Sequence, residues 1–345
     1  MRFDTDYIEG CHPRILERLA ETNFEQEPGY GRDAYCARAA ECIRAALGRP
    51  AVAVHFVPGG TQANVTVISH ALRPYEGVLS PTTGHINGHE TGATEARGHK
   101  VLPLPSVEAK ITAEQVAAYL SHYRAMPDPE HEIAPKMVYL SQPTEQGTLY
   151  SKAELSAFRE ICDRYGLYLF VDGARLGYAL ATDANDVSLS DLADLCDAFT
   201  IGGTKVGAMF GEAIVIENPE INRDFRYAIK QNEGMLAKGR YLGLQFEALF
   251  TDDLYFENGR HGIEMASYLR DALTAMGYPF LSQSPTNQIF PILPRHEVEA
   301  LEQLHAFERW EDVDADLVAV RFVTSWATRK EDLDVLIADL KRIHG

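Results

Sequence analysis

Basic residues are scarce in this chain: 32 Lys and Arg stand against 50 Asp and Glu, a formal charge of −18. A nucleic-acid surface needs a basic face to displace counterions from phosphates, so the balance argues against a nucleic-acid partner. Cysteine is sparse too. Cys11, Cys36, Cys42, Cys162 and Cys196 are odd in number and lack CxxC spacing, so neither a zinc site nor a disulfide framework follows, and reduced thiols are expected. No run approaches the roughly 18 uninterrupted apolar residues of a membrane span. The opening Met1-Arg2-Phe3-Asp4 lacks the apolar core of a secretion signal, so no membrane partner and a cytoplasmic location are expected. There is no dinucleotide fingerprint, because after Gly59-Gly60 the next glycine is Gly77. The cluster His85, His89, Glu90 lacks the HExxH order, and no metal is expected.

What is present is enough apolar residue, 46% of 345, to bury a large core with a second, smaller domain beside it. His12-Pro13 opens a helix with Ile15, Leu16 and Leu19 on one face, and Asp33 to Leu47 reads as a second helix stopped by Gly48. Strand and helix then alternate: strands at 51–57, 100–104, 136–141, 167–171 and 198–201, helices at 61–72, from Thr112, and from Ser151 to Tyr165, the last two opened by capping boxes with Gln115 and Glu154. That rhythm predicts an α/β fold with a mostly parallel sheet flanked by helices, and 213–217 reads as a returning strand. Residues 220–276 read as helical; strands at 288–292 and 317–324 and helices near 296–307 and 330–343 predict a small C-terminal α+β domain. The expected organisation is an arm over 1–12, a large domain over 13–235 and a small domain over 236–345.

Chemistry concentrates at a few points. Asp172 ends the apolar run Leu-Tyr-Leu-Phe-Val (167–171), and Lys205 follows in Thr-Ile-Gly-Gly-Thr-Lys (200–205). A carboxylate at a strand's carboxyl end can pair with a protonated pyridine nitrogen, and a lysine amine can hold an aldehyde as a Schiff base, so the pair reads as a site for pyridoxal 5′-phosphate. Pro58-Gly59-Gly60-Thr61, between strand and helix, suits a phosphate: glycines admit close backbone approach and the helix start offers free N–H groups. His85 lies in a glycine-rich segment (82–92) where an imidazole could stack on the pyridine ring, whereas His89 and His99 read as structural. Arg175, three residues after Asp172, could grip a substrate carboxylate bidentately, and Arg321, on a strand of the small domain, would close the clamp from the other side.

Taken as a set, these motifs resemble the low-specificity L-threonine aldolase family of the aspartate-aminotransferase-like pyridoxal-phosphate enzymes. The likeness also covers Phe3-Asp4-Thr5-Asp6-Tyr7, Glu9-Gly10-Cys11-His12-Pro13, Pro28-Gly29-Tyr30-Gly31, Thr61-Gln62-Ala63-Asn64, Gln142-Pro143-Thr144-Glu145-Gln146-Gly147-Thr148 and Asp172-Gly173-Ala174-Arg175-Leu176. The resemblance implies retro-aldol cleavage of L-threonine, L-allo-threonine or a related β-hydroxy-α-amino acid to glycine and an aldehyde. It implies Lys205 as the cofactor-bearing lysine, Asp172 on the pyridine nitrogen, His85 over the ring, and Gly60 with Thr61 on the phosphate. Thr5, Arg175 and Arg321 would hold the substrate carboxylate, and a homotetramer of paired dimers is implied, with sites at the dimer interface. Three positions depart from the family pattern: Thr5 replaces a frequent serine, Glu145 stands where several members place a histidine near the β-hydroxyl, and Leu236 follows Met235 where arginine is frequent. Glu145 is therefore expected to accept the β-hydroxyl's hydrogen bond, and Lys230 or Lys238 to supply further phosphate contacts. His85 is the expected base. The rival activities are a β-eliminating lyase releasing pyruvate and an aldolase of phenylserine-like substrates; the rival of another kind is a non-catalytic binding protein on the same fold.

Overall fold

A computed structural model describes all 345 residues. Its main sheet has seven strands: β1 (Ala53–Val57), β2 (Glu76–Pro81), β3 (Val101–Leu104), β4 (Ala134–Ser141), β5 (Tyr168–Asp172), β6 (Ala198–Gly202) and β7 (Glu212–Ile216), in the order β1-β7-β6-β5-β4-β2-β3. β6, β5, β4, β2 and β3 run parallel, while β7 is antiparallel to both β6 and β1. The carboxyl ends of β1, β2, β4, β5 and β6 and the amino end of β7 therefore meet along one edge, where open α/β sheets bind ligands. β6 and β7 are buried throughout because helices cover both faces, which is why they read as apolar runs rather than alternating ones. Capping fixes where those helices begin: Thr112 with Gln115 and Ser151 with Glu154 form reciprocal boxes, and Asp33 accepts from the Cys36 N–H at 2.8 Å.

A second, antiparallel sheet is built from β8 (Phe280–Ser282), β9 (Gln288–Pro294), β10 (Glu308–Asp312) and β11 (Leu317–Val323), in the order β10-β11-β9-β8. Its core side packs Ile289, Leu293, Val318, Val320 and Phe322 against Leu333, Leu336, Ile337 and Leu340 of the last helix, Lys330–His344. The amino-terminal arm joins this sheet: Phe3 N–H donates to Ala306 O at 2.7 Å and Val323 N–H donates to Phe3 O at 2.8 Å.

Several sequence expectations shift. β2, β8 and β10 were invisible. The helix expected near 296–307 ends at Glu302, freeing Ala306 to donate to Met1 O at 2.8 Å. In the first helix Ile15 is buried and Leu19 half-buried, but Leu16 faces solvent, 51% exposed. Phe246, Leu249, Leu254 and Tyr255 pack in the larger core, while Met265, Ala266, Leu269 and Leu273 of the long helix Leu254–Ala275 pack in the smaller one.

Candidate active site

The sheet edge holds a cavity of about 340 Å³. Its lining includes Gly60, Thr61, His85, Glu145, Asp172, Arg175 and Lys205. A second cavity of about 500 Å³ adjoins it, sharing His85, Glu145, Arg175 and Lys205 and adding Thr5 and Arg321. Gly60, Thr61, Asp172, Lys205, His85, Glu145, Arg175, Thr5 and Arg321 thus line two adjoining cavities that share four of them. The two lysines expected to add phosphate contacts do not: Lys230 and Lys238 are exposed and line neither cavity of their own chain. Lys230 instead lies over the Tyr30 ring, 5.1 Å from its centroid.

Asp172 is buried at the end of β5, on the same sheet face as Phe170. Burial alone would push its carboxyl up. The His85 charge and hydrogen bonds from Asn64 Nδ2 (2.8 Å), the Tyr139 hydroxyl (2.7 Å) and the Ala174 N–H (2.9 Å) more than offset that, holding it below the usual range and therefore ionised. Asn64 has a second role, since the same Nδ2 donates to Glu90 Oε1 at 2.8 Å. Glu90 Oε1 also meets His85 Nδ1 at 2.8 Å. Burial would lower the imidazole's affinity for a proton, but the Glu90 bond and the charges of Asp172 and Glu90 raise it above its ordinary value. With Nδ1 bound to Glu90, His85 Nε2 is the nitrogen left for the cavity.

Lys205 is placed by its backbone. The Tyr178 hydroxyl donates to Lys205 O at 2.6 Å, the Tyr255 hydroxyl to Gly202 O at 3.0 Å, and Asn258 Nδ2 to Val206 O at 2.9 Å. The loop leaves β6 through a close approach only glycine allows: a Cβ on Gly202 would lie 2.1 Å from Ala174 O. Burial and the neighbouring Arg175 lower the amine below the ordinary lysine value, against the opposing pull of Asp6, Glu212 and Asp172. A lysine that sheds its proton readily is a competent nucleophile toward an aldehyde.

The phosphate end is the start of the helix Gly60–Ala71. Gly59 caps it with no side-chain hydrogen bond, leaving first-turn N–H groups free, and positions for a Cβ on Gly59 or Gly60 meet nothing within 4 Å. Thr61 is exposed there. An ionised Asp172, an activatable Lys205 and an open helix amino terminus are the donor set pyridoxal phosphate requires, so the residues fit that cofactor.

Arg175 departs from its expected bidentate role. Its Nε and Nη2 are both taken by Asp6 Oδ2 and Oδ1, at 2.7 and 3.0 Å, leaving Nη1 for any ligand. Asp6 is fully buried and also accepts from Asn287 Nδ2 at 2.9 Å, so this ion pair ties arm, large domain and small domain together at the site. Arg321 lies over the Trp310 ring, pairs with Glu308, and donates to Gln288 Oε1 at 3.1 Å, with its Nε unpartnered. Glu145 Oε1 accepts from the His85 N–H (2.9 Å) and the Ser141 hydroxyl (2.7 Å); burial raises its carboxyl above the usual range.

Sequence reasoning missed Asn64 and Tyr139 as partners of Asp172, since neither stands out locally. It also missed Tyr7, Phe307, Glu308 and Trp310 as walls of the second cavity. His89, read as structural, lines that cavity too, its ring centroid 5.6 Å from that of His85.

Known proteins share this chain's sequence pattern and fold. A family model described as beta-eliminating lyase matches residues 3–294. The structure of Leishmania major threonine aldolase superposes with a TM-score of 0.97 at 43% identity, covering 100% of this chain and 99% of that one. Low specificity L-threonine aldolase of Pseudomonas aeruginosa is 29% identical over 348 residues, 100% of this chain and 98% of that protein. An aromatic aminotransferase of Pyrococcus horikoshii shares the fold at a TM-score of 0.71 and 16% identity. Fold and site define a pyridoxal-phosphate-dependent carbon–carbon lyase. Within that class, the chain belongs to the low-specificity L-threonine aldolase family.

Proposed function

We propose that this chain cleaves L-threonine, L-allo-threonine or a related β-hydroxy-α-amino acid to glycine and an aldehyde, with Lys205, Asp172 and His85 as the catalytic residues. The observation that carries the reading is that Lys205 and an ionised Asp172 share one cavity, which opens onto a second lined by Arg321, Thr5, His85 and Glu145. When bound, the cofactor supplies the electron sink for the pair released as the Cα–Cβ bond breaks. Arg321, with the Arg175 Nη1 and the Thr5 hydroxyl, holds the substrate carboxylate and so fixes which bond at the α-carbon breaks. Asp172 holds the proton of the pyridine nitrogen in place. Before cleavage the β-hydroxyl donates its hydrogen bond to Glu145; for the cleavage it turns to His85, whose neutral Nε2 takes the proton, the ring's orientation set by Glu90.

A cytoplasmic homotetramer built as a dimer of dimers is part of the same proposal. In its support, Tyr30 and Tyr227 stand 48% and 73% exposed beside one surface cavity, and Phe24 is 95% exposed, apolar surface that a neighbouring subunit would cover. All five cysteines are free thiols, which suits a reducing compartment. Incubation of the cofactor-loaded protein with L-threonine tests the activity: glycine with acetaldehyde supports it, and a 2-oxo acid with ammonia would replace it by β-elimination. Sedimentation of the purified protein tests the assembly.

A further inference from the structure

One buried carboxyl in the cofactor cavity has no place in the chemistry above. Glu212 begins β7, in register with Val57 at the end of β1 on one side and with Gly202 at the end of β6 on the other. Alternation along β7 puts Glu212 on the face of Ile214 and Ile216, which pack with Ala63, Val67 and Ile68 of the helix whose amino terminus forms the phosphate cradle; Ala213 and Val215 pack on the opposite face. Its side chain therefore stands between the Gly59-Gly60-Thr61 turn and Lys205, and all of these line the same cavity. Glu212 is 4% exposed, and its Oε2 has no hydrogen-bond partner.

A carboxylate in that position would oppose the cofactor. The phosphate arrives as an anion of nearly two charges, into a cavity where the turn offers N–H groups and the Thr61 hydroxyl and where the charged donors are Lys205 and Arg175, the latter already paired with Asp6. Asp172 stays ionised on three hydrogen bonds and the His85 charge, whereas a second carboxylate beside a phosphate, with its Oε2 unpartnered, is poorly supported as an anion. We infer that Glu212 is a cofactor-binding residue that works in its neutral acid form, so that capture of a phosphorylated pyridine is coupled to uptake of a proton by this carboxyl. The inference rests on the reading of the cavity as the cofactor site.

The surroundings agree. Burial pushes the Glu212 carboxyl up to about 8, with Lys205 pulling it down, Asp172 pushing it further up, and hydrogen bonds with the Thr204 hydroxyl and the Gly203 backbone pulling it down in lesser measure. The groups facing it are Lys205, Asp172, the Thr204 hydroxyl and the Tyr255 phenol, and Lys205 is in turn faced by Arg175 and Asp6. With the phosphate present, a further negative charge drives the equilibrium toward the acid, whose hydroxyl then has an acceptor.

The test uses the cofactor-free protein and pyridoxine 5′-phosphate, which carries ring and phosphate but has no aldehyde for Lys205. Isothermal calorimetry at about pH 8.5, in phosphate-free buffers of different ionisation enthalpy, should show wild-type protein taking up close to one proton, with affinity falling between about pH 7 and 9 toward about tenfold per unit. Glu212→Gln, a neutral residue of the same size, should take up fewer protons and bind with affinity less dependent on pH across that range, any remaining uptake belonging to the ring nitrogen that Asp172 keeps protonated. Wild-type binding without proton uptake would overturn the inference whether or not the variant folds. So would a Glu212→Gln protein that keeps the full wild-type uptake, because the proton would then belong to Lys205 or to the ring nitrogen. Failure of the wild type to bind the probe at any pH would overturn the cofactor reading as well.

Discussion

Replacing Glu90 by glutamine isolates what holds the proton on His85. The amide keeps the size of the side chain, and its oxygen can still accept from His85 Nδ1 and Asn64 Nδ2, both 2.8 Å away in the parent. What disappears is the charge. A charge-assisted hydrogen bond is roughly twice as strong as a neutral one, a difference of about 1–1.5 kcal/mol. The imidazole is 35% exposed, so solvent screening trims this to about 0.5–1 kcal/mol, or about a third to three-quarters of a pKa unit. The sign follows from His85's raised affinity for a proton in the folded state. Its contribution to stability is complete below the unfolded value of about 6.5 and is lost as pH rises through the higher folded value. Glu90→Gln should therefore cost about 0.5–1 kcal/mol near pH 5.5 and almost nothing near pH 9, and it should shift the imidazole titration downward. NMR titration of the ring protons, assigned by comparison with His85→Asn, measures the shift, and melting curves across pH measure the cost. A His85 titration unchanged in Glu90→Gln would refute the argument that Glu90 sets it.

Three other outcomes follow. Asp172→Asn should retain the cofactor, which keeps its Lys205 and helix-terminus contacts, but turnover should fall by roughly 100-fold or more; equal loss of binding and turnover would show Asp172 to be a binding residue only. Glu308→Gln releases Arg321 from an internal partner whose side chain is 43% exposed, so KM for the amino acid should fall by up to about fivefold, whereas Arg321→Lys should raise it about tenfold or more; steady-state kinetics on both variants decides. Gly202→Ala forces a Cβ against the Ala174 carbonyl and should destabilise the protein by about 1–3 kcal/mol or more, read as a lowered melting temperature in the cofactor-free protein.

How much of this was legible beforehand depended on whether a signal was local. The parallel strands β4, β5 and β6 and the capped helices announce themselves through apolar runs and through pairs three residues apart. β2 did not, because its apolar stretch Gly77-Val78-Leu79 is too short and ends in Ser80-Pro81. β10, Glu-Arg-Trp-Glu-Asp, is an edge strand whose charges keep an unpaired edge in water, so it carries no apolar pattern at all. At the site, residues fixed to a strand end or a helix start could be found from sequence: Asp172, Lys205, Gly60 and Thr61. Relations across long separations could not. The Asp6–Arg175 ion pair spans 169 positions, and it makes Arg175 an anchor for the arm with only Nη1 left for a ligand. Glu212 was equally hidden, since its meaning comes from the register that sets it between two strands far from it in sequence.

The central claim is that Lys205 carries the cofactor and yields it to an amino acid. Borohydride reduction of the cofactor-loaded protein, followed by digestion and mass spectrometry, tests it most directly. The account predicts a phosphopyridoxyl group on the peptide containing Lys205, much diminished when L-threonine is added before reduction. A label on Lys230 or Lys238 instead, or none in protein supplied with pyridoxal phosphate, would contradict it.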